Sequence, residues 1–290
     1  MQTAAPDVQA FFDVATNTVT YLVRDPQGRA AAVIDSVLDF DYAAGRTDTR
    51  SADLVIASIL AQDLDLQWIL ETHVHADHLS AAPYIQDRLG GRIGIGAQIT
   101  EVQDTFGKVF NEGTGFARDG SQFDQLFADG DSLMIGQMRG LVLHTPGHTP
   151  ACLTYVIGDA AFVGDTLFMP DFGTARCDFP GGSAAAMYDS VQRILTLPDA
   201  TRLFVGHDYK APGRDSFAWE STVGVQKTTN VHIGGGRSRA DFVALRTARD
   251  ATLAMPRLII PALQINMRAG HLPEAEADGT SYLKVPLNGM

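Results

Sequence analysis

The stretch "ETHVHADHLSAA", residues 71–82, decides the fold: it places His73, His75, Asp77 and His78 within six positions, directly after the apolar run "WIL". Apolar runs of this kind read as buried strands, and loops at strand ends are where functional side chains are usually carried. Neutral imidazole nitrogens and carboxylate oxygens are good ligands for zinc and iron. A purely structural role for the cluster would desolvate several polar groups without compensation, so the stretch is read as metal-binding.

Working outward, four further candidates each follow an apolar, strand-like run: Asp35 in "VIDS", His148 in "HTPGHTPACLTY", Asp165 in "FVGDTLF" and His207 in "FVGHDYK". They are expected to project from one edge of a layered sheet. His144, His232 and His271 are assigned structural or solvated roles.

Upstream of the cluster, "VQAFFDV", "TVTYLVRD" and "AAAVIDSV" are separated by turn signals and predict an antiparallel meander. Residues 51–64, "SADLVIASILAQDL", predict a helix capped by Ser51, with Leu54, Val55, Ile59 and Leu60 on its buried face. "AAPYIQDRLG" predicts a helix and "RIGIGA" a strand, whereas 98–131 gives no clear pattern. A second run of strands occupies 132–164. The helix "SAAAMYDSVQRILTL" and the strand "RLFVGH" follow. From 208 to 290 the pattern is read as mainly helical, with "HIGGG" as a turn, since no Lys-Ser/Thr pair follows it as a phosphate loop requires. Runs of strands interrupted by helices predict two facing sheets with helices outside.

Composition narrows the function classes. With 22 basic and 34 acidic residues in 290, the formal charge is −12, which offers no general attraction for nucleic acid or an anionic membrane. An anionic ligand therefore needs a local basic pocket. Two cysteines, Cys152 and Cys177, exclude a disulfide framework and fit a reduced cytoplasm. The start "MQTAAPDVQAFFDV" does not read as an export signal, and no run approaches the ~18 apolar residues of a spanning helix.

"THVHADH", "TPGHT", "GDTLF" and "GHDY", in this order, resemble the signature of the metallo-β-lactamase superfamily over roughly residues 10–232, with Asp35 as its first acidic motif. The resemblance implies an αββα sandwich of two mixed β-sheets flanked by helices, its metal site at one sheet edge. It also implies one domain over 1–290, with a mainly helical C-terminal extension, 233–290. All positions for a two-zinc site are filled: His73, His75 and His148 for one ion, Asp77, His78 and His207 for the other, with Asp165 between.

"THVHADHLSAA", "ARCDF" (residues 175–179) and "HDY" rather than "HEY" resemble the persulfide dioxygenase branch; glyoxalase II enzymes would carry "RFFEG" at Arg176–Phe179. "KAPGRDSFAWESTV" and "RDATLAMPRLIIPALQIN" resemble bacterial β-lactamase-hydrolase-like proteins within that branch. The branch implies one Fe(II) on His73, His148 and Asp165, with His75, Asp77, His78 and His207 behind. Three ligands leave coordination open for a persulfide sulfur and dioxygen. The implied reaction converts glutathione persulfide, O2 and water to glutathione and sulfite. Asp178 and Tyr209 are the implied catalytic neighbours, and Arg176, Lys210 and Arg214 the candidate cations for glutathione's carboxylates. Cys177 reads equally well as a packed residue and as a reactive thiol. The alternative is a dizinc thioester or lactone hydrolase of the glyoxalase II type. A non-catalytic persulfide-binding module is the weaker third reading, and the sequence is compatible with a homo-oligomer.

Overall fold

The computed structural model describes residues 5–289. One six-stranded sheet orders β1 (Asp7–Asp13), β2 (Thr18–Arg24), β3 (Ala30–Ile34), β6 (Asp65–Leu70), β8 (Arg92–Gly96) and β9 (Gln125–Phe127). Its first two pairings are antiparallel and the rest parallel. The second orders β10 (Ser132–Ile135), β11 (Met138–His144), β12 (Leu153–Ile157), β13 (Ala160–Gly164), β14 (Arg202–Val205) and β15 (Glu220–Thr222), antiparallel except for β13–β14. A small sheet joins β4 (Val37–Asp41) to β5 (Arg46–Asp48) and β7 (Leu79–Ser80).

Period-two patterning explains the layers. In β3, Ala30, Ala32 and Ile34 meet the other sheet's Leu133, Tyr155 and Phe162, while Ala31 and Val33 face outward onto helices. In β13, Ala160 and Phe162 face the first sheet and Ala161 and Val163 face helices. The outer layer of the first sheet is α1 (Arg50–Ala61), α2 (Ala82–Leu89) and α3 (Ile99–Val109). Over the second lie α4 (Ala184–Ile194), α5 (Val223–Thr229) and α6 (Arg239–Asp250). The last helix, α7 (Ile259–Asn266), packs beside the loop that follows β6. The expected αββα sandwich of two mixed sheets is the observed architecture.

Several local expectations are corrected. Helix α1 starts at Arg50 after Thr49, so Ser51 lies inside its first turn and bonds Asp39 instead of capping. Its buried stripe is Ala52, Val55, Ile56 and Ile59, and Leu54 and Leu60 are each 63% exposed. At 100° per residue, position 54 falls opposite that stripe and 60 well to its side. Region 98–131 contains α3 and β9. "EST" within "WESTV" is strand β15, because its backbone pairs with β14. After 208 the helices are confined to α5, α6 and α7, with turns and coil between, so the expectation of a mainly helical segment is too strong. Prolines and glycines break it up. Among the described residues no helix is long and apolar enough to cross a membrane.

Candidate metal centre

Loops leaving β3, β6, β11, β13 and β14 converge at one edge of the sandwich and bring Asp35, the 71–78 cluster, His148, Asp165 and His207 together. One ligand atom from each of His73, His148 and Asp165 lies within 4.8 Å of the other two. Their approach depends on Gly164, which turns at φ +49°; a Cβ there would sit 2.4 Å from Thr72 Oγ1.

A chain of hydrogen bonds orients each donor. Asp35, itself in the left-handed region at φ 53°, accepts from Thr72 N at 2.7 Å and from Thr72 Oγ1 at 2.8 Å. With its proton on Asp35, the Thr72 hydroxyl accepts from His73 Nδ1 at 3.0 Å. That tautomer leaves His73 Nε2 as a bare lone pair, and this atom is buried without a partner. His148 Nδ1 donates to the Arg176 carbonyl at 2.8 Å, which frees its Nε2, 3.8 Å from Asp165 Oδ2. Burial lowers the pKa of both His73 and His148, so both stay neutral. Burial opposes the charge on Asp165, but His207 outweighs it through a 2.6 Å contact and holds the carboxyl ionised. Two neutral imidazoles and one carboxylate, with an orphaned buried nitrogen among them, fit a divalent ion.

The second set is arranged differently. His75, Asp77 and His78 form a group within the same 4.8 Å limit, and His207 is outside it. Instead His207 is engaged through both nitrogens: Nδ1 on Asp165, and Nε2 on Asp77 at 2.5 Å and Thr18 Oγ1 at 3.1 Å. His75 Nε2 sits 3.1 Å from Asp35 and 3.2 Å from Glu71. Burial disfavours its charge, yet the two carboxylates prevail and hold it at about 10. His75 Nδ1 and His78 Nε2 are buried without partners.

Beside the three donors opens a cavity of 390 Å³ lined by His148, Asp165, Phe168, Phe172, Phe179 and Tyr209 among others. Tyr209 lies parallel to His207, centroids 5.8 Å apart. Arg176 reaches the cavity, but its guanidinium is clamped on Asp178 at 2.6 and 2.7 Å and on the Ala254 carbonyl at 2.7 Å. Asp178 meets Arg176 and is not among the lining residues. Neither Lys210 nor Arg214 lines the cavity: Lys210 stands 4.4 Å over the Phe217 ring, and Arg214 is committed to Asp171 and Asp208. The cations that line it without an ion-pair partner among the described residues are Arg249 and Arg257. Sequence reasoning missed both, although Arg249 follows Arg246 by one helical turn and so shares its face. Cys177 is buried, and burial pushes its thiol up to about 12, the condition of a packed residue. His144 and His232 bond backbone groups and His271 is exposed.

Helix α6 supports the His148 side. Asp250 accepts from Cys177 N at 2.9 Å, and Arg246, paired with Asp250, donates to the Thr174 carbonyl at 3.0 Å. These bonds fix the segment whose Arg176 carbonyl orients His148.

Comparison with known proteins shows the family and the fold. The family model described as the metallo-beta-lactamase superfamily matches residues 14–207. A "Beta-lactamase hydrolase-like protein" of Xylella fastidiosa is 53% identical over 98% of this chain, which spans 65% of that longer protein. "Glyoxylase B2" of Dictyostelium discoideum is 45% identical over 97% of both chains. The human mitochondrial "Persulfide dioxygenase ETHE1" is 30% identical, covering 91% of this chain and 88% of its own. The crystal structure of ETHE1 from Myxococcus xanthus superposes with a TM-score of 0.72 at 31% identity, over 91% of this chain and all of that one.

Proposed function

The chain belongs to the metallo-beta-lactamase superfamily, and from that premise we propose that it is an iron(II)-dependent persulfide dioxygenase. A low-molecular-weight persulfide of the glutathione type is oxidised by O2, with water, to sulfite and the free thiol. One persulfide, one O2 and one water give one thiol and one sulfurous acid, with no further reductant.

The observation that carries the reading is the inequality of the two donor sets. His73, His148 and Asp165 converge with their other polar atoms anchored, whereas His207 is tied into contacts with Asp77, Asp165 and Thr18. This favours one ion over two. Bound ferrous iron supplies the activation of dioxygen, and a site with three protein ligands keeps positions for a sulfur donor. The protein's part is to bind, orient and exclude water. Phe168, Phe172 and Phe179 make the cavity's apolar wall. Arg249 and Arg257 receive the carboxylates of the thiol carrier, which the net charge of −12 would otherwise repel. Asp165 stays ionised through His207, and His148 is held in its ligating tautomer by the Arg176 carbonyl. The two buried free cysteines suit a reducing compartment, and the reading places the reaction in the cytoplasm.

A second reading, a dizinc thioester hydrolase, is favoured by the unpartnered His78 Nε2 and by the similarity to Glyoxylase B2. Metal analysis of anaerobically purified protein coupled to oxygen uptake separates the two. The dioxygenase reading expects about one iron per chain and persulfide-dependent O2 consumption. Two zincs per chain, no O2 uptake and hydrolysis of S-lactoylglutathione would overturn it.

A further inference from the structure

The loop that carries the cluster is built from two alternating sets of side chains. His73, His75 and His78 point to the donors, while Val74, Ala76 and Leu79 are buried on the side where Ile259, Leu263, Ile265 and Met267 of α7 and its end pack. Helix α7 lies wholly beyond the segment 14–207 that the family model covers.

At the last position of α7, Asn266 is 4% exposed and spends its whole side chain on that loop. Its Nδ2 donates to the His75 carbonyl at 2.9 Å and to the His78 carbonyl at 2.8 Å, and its Oδ1 accepts from Ser80 N at 2.8 Å. Both amide protons are used, and the three backbone groups they and the oxygen hold flank Asp77 and His78. The chain then turns tightly over the same loop: a Cβ on Gly270, at φ +91°, would lie 2.8 Å from the Ser80 carbonyl.

We propose that Asn266 is a positioning residue of the metal centre, through which the C-terminal extension sets the backbone of the cluster loop and hence the reach of His73 and His75. A loop with this many buried polar donors must be held against collapse onto itself, and a carboxamide can satisfy two carbonyls and one N–H at once, which no apolar contact can. The inference rests on the reading that His73, His148 and Asp165 hold the ion.

The internal control is Gln264, on the same helix and equally buried. Its amide bonds the Ile260 and Lys284 carbonyls and the Lys284 N–H, none of them in the cluster loop. The experiment titrates metal-free Asn266→Ala, Asn266→Asp and Gln264→Ala with Fe(II) and with Zn(II) against a chromophoric chelator, and records the thermal midpoint without metal. Losing a group that orients ligands typically weakens metal affinity about 10- to 100-fold. Both Asn266 variants are expected to show that loss; the Asp variant keeps the acceptor for Ser80 but faces two carbonyls with a carboxylate. Gln264→Ala is expected to bind metal within about twofold of wild type while its metal-free midpoint falls. Asn266→Ala binding like wild type, Gln264→Ala losing as much affinity, or both Asn266 variants failing to fold where Gln264→Ala folds would each overturn the proposal. Wild-type protein that takes zinc and consumes no O2 would remove the dioxygenase reading alone, because the variant-to-wild-type ratio for zinc still tests Asn266.

Discussion

Replacing Thr72 by valine tests the orientation of His73 most directly. The hydroxyl is the link between Asp35 Oδ2 at 2.8 Å and His73 Nδ1 at 3.0 Å, in a pocket where all three residues are buried. Valine keeps the shape and removes the link, leaving a carboxylate oxygen and an imidazole N–H unpaired. A buried polar group left without its partner costs about 1–3 kcal/mol, and loss of an orienting hydrogen bond to a ligand costs about 10–100-fold in metal affinity. The added methyl also faces the Gly164 backbone across the narrow gap that forbids a side chain there. Thr72→Ser retains the oxygen and is the control. Chelator-competition titration of the metal-free proteins, with urea denaturation for stability, reads both terms. The expected order of affinity is wild type, then Ser close behind, then Val at least tenfold weaker. If Val binds metal as wild type does, or if Ser is as damaged as Val, the Asp35–Thr72–His73 chain does not set the ligand.

His148→Ala removes one of the three converging donors and is expected to abolish both stoichiometric metal and O2 uptake; metal content at the wild-type level would show that another set holds the ion. Arg249→Ala and Arg257→Ala are each expected to raise KM for the persulfide about tenfold, the cost of one charge-assisted hydrogen bond, with kcat nearly unchanged. Lys210→Ala, off the cavity, should leave KM alone, and the reverse pattern would return substrate binding to the loop after β14. Stability should also fall in acid through His232: burial, helped by Arg246 and Arg249, holds its pKa at about 4. Its neutral ring accepts from Thr174 N at 3.0 Å. Because the unfolded chain binds the proton first, this contribution is present above about pH 6.5 and lost as pH falls through 4, on the order of 1–3 kcal/mol. Urea midpoints of His232→Gln and wild type that fall in parallel from pH 7 to 4 would refute it.

The sequence by itself determined the layered architecture and the converging donors. Both are local signals: alternation in "AAAVI" and "AAFVG" sets two buried faces per strand, and short donor motifs immediately follow strands, so closing the sandwich brings them to one edge. What only the tertiary structure decided is which atom of each donor is free and what surrounds it. Arg176, chosen by its place beside a motif, proved to be neutralised by Asp178, and Arg214 by Asp171 and Asp208, while the cavity's cations without an ion-pair partner among the described residues came from the end of α6 and the turn that leads into α7. Asn266 meets His75 across 191 positions and Asp250 meets Cys177 across 73, and no pattern within a window of sequence records such pairings. Tautomers, charge states and cavity walls depend on partners that become neighbours only when the chain closes, so they are properties of the fold.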